Sequence, residues 1–167
     1  MRIARTTLTL LALAGAAASV HAAGAVEVSF VEPARYSDAG RDPAESRRNE
    51  DTLARYLEGL GERYLAAGQV LKIDVLDLDL AGIVRPSRRG TGDIRIVRGG
   101  SDAPHIKVRY SLTAAGQVVK SAEETVTDLN YFGHASDGTS GDPLRLEKRM
   151  LDNWFKSRFV TGKALAG

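Results

Sequence analysis

Residues 70–80 constrain the fold most. Leu71, Ile73 and Val75 occupy odd positions, whereas Leu76, Leu78 and Leu80 occupy even ones. Strand side chains alternate between two faces, so both sets reach one core only if an extra residue breaks the phase. The spacing predicts one long strand from Val70 to Leu80 with a β-bulge near Val75–Leu76.

The flanking segments supply a sheet and its cover. Val26, Val28 and Phe30 alternate with Glu27 and Ser29, and Pro33 ends this strand because proline has no N–H for a ladder. Asp42-Pro43 followed by Glu45 reads as a helix start, with a capping side chain, a proline in the first turn and an acid three residues past the cap. Leu53, Tyr56, Leu57, Leu60 and Tyr64 then recur at three- and four-residue steps, forming one apolar stripe. Gly68 is the expected stop; Gly59 and Gly61 either permit a close approach or loosen the last turns.

A basic loop is expected around residues 85–90, then strands from Asp93 to Arg98, His105 to Leu112 and Gln117 to Thr127, the last two joined by a tight turn. After a Gly/Ser/Asp-rich loop at 133–141, Asp142-Pro143 opens a second helix that buries Leu146, Met150, Leu151, Trp154 and Phe155. Phe159 is the aromatic most readily left over for a partner. The expected fold class is α+β: a single domain with a mainly antiparallel sheet of about five strands and two helices packed on one face.

Composition removes several chemistries. The chain has no cysteine, which excludes disulfides, thiolate metal sites, a cysteine nucleophile and a lipidated N-terminal cysteine. Arg2 and Arg5 precede an apolar and small-residue run from Thr6 to Ala18, and Val20 and Ala22 sit where a signal peptidase reads. Residues 1–22 therefore read as a secretory signal and residues 23–167 as the domain. The chain has 23 Lys+Arg against 21 Asp+Glu, and removing Arg2 and Arg5 makes the mature protein formally neutral. Such a chain lacks the global field of a nucleic-acid binder. No second apolar run is long enough to span a bilayer, so no transmembrane segment is expected after signal removal. The expected location is the Gram-negative periplasm, with secretion as the alternative.

Several spaced groups carry a resemblance. Val28-Ser29-Phe30 with Glu32-Pro33, residues 77–82 (Asp-Leu-Asp-Leu-Ala-Gly), Asp128 with Tyr131, and Glu147-Lys148-Arg149-Met150-Leu151 with Trp154-Phe155 resemble domain-of-unknown-function family 3016. The resemblance covers essentially the whole mature chain and implies a small exported protein of a Gram-negative bacterium. It implies no activity and no catalytic residues.

Candidate sites follow from the residues. Asp74, Asp77 and Asp79 would, with the bulge, share the strand's polar face as hard oxygen ligands for Ca²⁺ or Mg²⁺, although a strand is too straight to wrap a cation alone. Arg85, Arg88 and Arg89, with Arg95 and Arg98 following, form a local basic segment suited to phosphate or carboxylate. The competing reading pairs these arginines with aspartates of the neighbouring strand. His134, Ser136 and Asp137 are crowded in one loop, without the spacing of a serine nucleophile. Glu123 and Glu124 are adjacent on a strand and so point to opposite faces.

The expected function is that of an exported, non-catalytic binding or accessory module, taking an envelope protein or an anionic ligand through Arg85, Arg88 and Arg89. No cofactor and no nucleic acid are expected. The alternative is a small periplasmic hydrolase using Asp77, Asp79 and Glu124 as its carboxylates. N-terminal mass spectrometry of protein recovered from the envelope should find the mature chain beginning at or within a residue or two of Ala23. Intact Met1 on membrane-bound protein would contradict the signal assignment.

Overall fold

In the computed structural model, which describes residues 23–86, 93–98, 102–134 and 141–161, eight main elements follow the sequence pattern. They are β1 (Ala25–Phe30), α1 (Pro43–Tyr64), β2 (Gln69–Asp79), β3 (Ile83–Pro86), β4 (Asp93–Ile96), β5 (His105–Ala114), β6 (Gln117–Thr127) and α2 (Arg145–Phe155). Four strands form one sheet in the order β1-β2-β5-β6, while β3 and β4 form a separate antiparallel ribbon. The fold is a single-domain α+β architecture, with a mainly antiparallel sheet and both helices sharing one core on one of its faces. Among the described residues, no helix is long and apolar enough to cross a membrane.

The structure refines the sequence expectation at several points. β1 runs parallel to β2, because α1 carries the chain back to the starting end of the sheet before β2 begins. Arg85 and Pro86 belong to strand β3 rather than to a loop; a four-residue strand that ends in proline is too short for its alternation to stand out. Residues 1–22, Arg88, Arg89, Ser136 and Asp137 lie outside the described residues.

The bulge falls where the phase slip requires it. Val75 pairs with Val108 and Asp77 with Lys107, so Leu76 is the extra residue. Leu71, Ile73 and Val75 before it, and Leu78 and Leu80 after it, are all buried. Val26, Val28 and Phe30 extend the same apolar face across β1, opposite Leu71, Ile73 and Val75.

The first helix starts as its residues dictate. The Asp42 carboxylate accepts from the Ala44 and Glu45 N–H groups at 2.8 Å each, with Pro43 in the first turn. Leu53, Leu57 and Leu60 bury its stripe. Gly61 packs directly on β1, where an added Cβ would collide with the Val26 side chain, whereas Gly59 faces open space.

The second helix begins at Arg145, and Asp142 caps only the preceding turn, accepting from the Leu144 N–H at 3.0 Å. The chain continues past Phe155 in a π-helical turn, Lys156–Val160, that brings Phe159 into the core. Phe159 is therefore not a spare surface aromatic. It stacks edge-on against Tyr110, Trp154 and Phe155, with ring centroids 5.2, 5.4 and 5.0 Å away.

The two glycines of α1 should respond with opposite signs. Gly61→Ala forces α1 off β1 and should destabilise by about 1–3 kcal/mol. Gly59→Ala should stabilise by up to about 1 kcal/mol, because the added methyl meets nothing and the helix loses a flexible residue. Urea melts of the two variants check the contrast.

Candidate functional site

The bulge in β2 faces an excursion of the strand beside it. β1 keeps its ladder as far as the Val31 N–H, which donates to Val75 O at 2.9 Å. The chain then leaves the sheet through a short 3₁₀ turn, Pro33–Arg35, and rejoins β2 at Asp38. There the Asp38 N–H donates to Leu78 O at 2.9 Å and the Leu80 N–H donates to Asp38 O at 3.0 Å. The detour is fastened at its middle: the Tyr36 hydroxyl donates to Val75 O at 2.8 Å, and the Ser37 N–H and hydroxyl donate to Asp77 at 2.8 and 2.9 Å.

Between this detour and the first turns of α1 lies a cleft of about 490 Å³. Pro33, Ala34, Tyr36, Ala39 and Pro43 line it together with Glu50. Its far wall is held rigidly. The buried Asn49 side chain donates to Ala39 O at 2.9 Å. Arg41 pairs with Glu45 at 2.6 Å. Gly40 adopts φ +150° so close to α1 that a Cβ would come within 2.8 Å of the Ser46 nitrogen.

Glu50 is the unusual member of this wall. It is only 8% exposed, and among the described residues no donor hydrogen-bonds to its carboxylate and no cation pairs with it. Burial pushes its carboxyl above the usual glutamate range, Asp51 adds to the rise and Arg47 opposes it. The neighbouring Tyr36 hydroxyl is pushed up to about 12, first by burial and then by the Glu50 charge. The residue is buried, but its carboxylate oxygens are not among the solvent-excluded atoms without a partner, so they open on the cleft.

The residues singled out from sequence are dispersed. Asp74, Asp77 and Asp79 do share the open face of the sheet, as the bulge requires, in register with Arg109, Lys107 and His105. Asp77 serves Ser37, and His105 Nε2 lies 3.6 Å from Asp79 and 4.0 Å from Asp77. Burial pushes the Asp79 carboxyl up, against the pull of His105, and Asp38, Asp77 and Asp102 add to the rise. Among the described residues, no three acidic or histidine side chains are grouped to hold a metal ion.

Glu124 stands in register with buried Val108, on the helix-covered face. There it accepts from Trp154 Nε1 at 2.9 Å and pairs with Arg158 at 2.8 Å. The Arg158 bond holds its carboxyl below the usual range. Asp77, Asp79 and Glu124 thus lie on opposite faces of the sheet, so the three cannot serve one hydrolytic cleft. Glu123, on the open face, pairs with Lys107 and Arg109 at 3.0 and 2.9 Å.

Of the arginine segment, Arg85 is exposed on β3. Arg95 pairs not with a strand aspartate but with Glu147 of α2, at 3.1 Å. Glu147 is fully buried. It also accepts from the Ala81 N–H at 2.8 Å, and so ties α2 to the end of β2 and to the ribbon.

A family model described as "Protein of unknown function (DUF3016)" matches residues 24–157. The chain belongs to this family. The DUF3016 match runs from β1 through α2 and includes every residue of the cleft. No curated protein and no solved structure matches the chain.

Sequence reading passed over Tyr36, Asn49 and Glu50. A signal for two of them was present. Counting back from Leu53 by four and by three reaches Asn49 and Glu50, so the apolar stripe of α1 runs on into polar residues. Polar residues at core positions are where a fold departs from simple patterning.

Because Glu50 is harder to ionise in the folded protein than in the unfolded chain, its contribution to stability is lost as pH rises from its unfolded value through its folded one. Glu50→Gln should therefore match the wild type at pH 3 and exceed it at pH 7, by on the order of 1 kcal/mol. Paired denaturant melts at the two pH values measure this difference.

Proposed function

We propose that this protein is an exported, non-catalytic binding module of the bacterial envelope, and that its ligand occupies the cleft between residues 33–42 and α1. Export is supported by the basic start, apolar run and small-residue exit of residues 1–22. Binding in the cleft is supported above all by Glu50, a largely buried residue that lines the preformed space and whose carboxylate meets no donor among the described residues. Preformed, largely apolar clefts with a few oriented polar groups are the usual ligand sites of small domains.

Binding fits this wall better than catalysis because its other titratable groups are committed. Asp42 caps α1, Asp38 accepts from the Gly40 N–H at 3.0 Å, and the Tyr36 hydroxyl is bound to Val75 O. Acid–base chemistry needs a second group free to move a proton. A second contact, for an anionic group, is supported by the exposed Arg85 with Arg88 and Arg89 beyond it in sequence.

Protein-observed NMR against a panel of small neutral, anionic and cationic fragments tests this reading. Shifts should cluster at Tyr36, Ser46 and Glu50. Ala34→Trp, which fills the cleft mouth, should abolish them, while Arg85→Ala, Arg88→Ala and Arg89→Ala together should leave them intact. Shifts confined to residues 85–98 would move the ligand site to the arginine segment. A panel that shifts neither region would contradict the binding reading.

A further inference from the structure

We infer that the group recognised in the cleft is a primary alkylammonium, received by the Glu50 carboxylate; this rests on the cleft being the ligand site. The geometry carries the inference in three steps. First, Glu50 is more than nine-tenths buried as a residue, lines the cleft and meets no donor among the described residues, and its oxygens remain accessible from the cleft. An ionised carboxylate only accepts hydrogen bonds, and an ammonium only donates them. The pair would supply the compensation that a buried charge requires.

Second, the charge around the cleft is net negative. Arg41 and Arg47 line it against Asp38, Asp42 and Glu50, and Arg41 is already paired with Glu45 outside the lining. A cation therefore enters with the local field, and an anion enters against it. Third, Pro33, Ala34, Tyr36 and Ala39 line the cleft together with Glu50. These apolar surfaces suit the methylene stem that carries an ammonium and would leave a hydrated metal ion without contacts. A single carboxylate also falls short of the several oxygen ligands that Ca²⁺ or Mg²⁺ takes.

An ammonium of this kind comes from a lysine side chain on a polypeptide or from a free alkylamine. The recognised chemistry is shared, so the test uses both. The mature protein is titrated by NMR with n-butylammonium, Nα-acetyl-lysine methylamide, n-butanol, butyrate and Ca²⁺. The two ammonium probes should shift Glu50 and Tyr36, and the other three should not. Tighter binding of the lysine amide would point to a polypeptide source, and equal or tighter binding of n-butylammonium to a free amine.

Glu50→Gln should weaken n-butylammonium binding by roughly tenfold or more while its melting midpoint at pH 7 stays level or rises. Arg47→Ala, which removes a positive charge from the rim, should tighten binding several-fold. Butanol, butyrate or Ca²⁺ binding at the cleft as tightly as the ammonium probes would overturn the inference and leave the cleft as the ligand site. Undiminished n-butylammonium binding by Glu50→Gln would do the same. Absence of any shift at the cleft with all five probes would remove the binding reading as well.

Discussion

The extra residue at Leu76 is the constraint on which the rest of the structure depends. Without it, the side chains of Leu78 and Leu80 would turn to the solvated face while Asp77 and Asp79 entered the core, since one step of register exchanges the two faces of a strand. Beside the bulge β1 ends, because Glu32 turns the chain at φ +51° and Pro33 has no N–H for the ladder. The chain leaves at Val31 and returns at Asp38. The intervening residues stand off the sheet and are held by Tyr36 and Ser37. The cleft against α1 is the space this detour creates. The bulge thus sets the core, and the candidate site lies beside it, in keeping with the concentration of bulges near functional positions.

Each helix carries one buried glutamate, and the two have different fates. Glu147 has two donors, the Ala81 N–H and Arg95, both on Oε1, and so fastens α2 to the ribbon and to the end of β2, although its Oε2 is buried without a donor. Glu50 has none. Burial pushes both carboxyls up, but for Glu147 the nearby Arg95 charge and the Ala81 bond pull the other way. A buried carboxylate held by donors from other elements specifies how those elements meet, whereas one that opens on a cleft can be reached by a ligand. That difference separates a structural glutamate from a candidate site.

Much of the fold was legible because it rests on periodicity. The alternation in β1, β2 and β5, the phase slip at Leu76, the Asp42-Pro43 start of α1 and the apolar stripe of α2 each have one physical reading. Of the β3–β4 ribbon, β4 was legible as the strand that starts at Asp93, whereas β3 was not, because a four-residue strand that ends in proline carries too little alternation to separate from a loop. Phe159 was misread as spare although it stands four residues after Phe155, a spacing that already puts it beside the buried stripe of α2. The site was hardest to see. Charge and metal patterning drew attention to Asp74, Asp77 and Asp79, which share a solvated face. Glu50 is one acid among many until its burial is known, although its place on the α1 stripe already set it apart.

Deletion of Leu76 tests the central claim most directly. Val119, the extra residue of a second irregularity in β6, provides the matched control because it lies exposed on an edge strand close to the hairpin end. The account predicts that removing Leu76 abolishes the cooperative thermal transition, or lowers its midpoint far more than removing Val119 does. If the Leu76 deletion melted cooperatively at the wild-type temperature, the bulge would not be what orients Leu78 and Leu80. The core would then owe its alignment to something other than the extra residue.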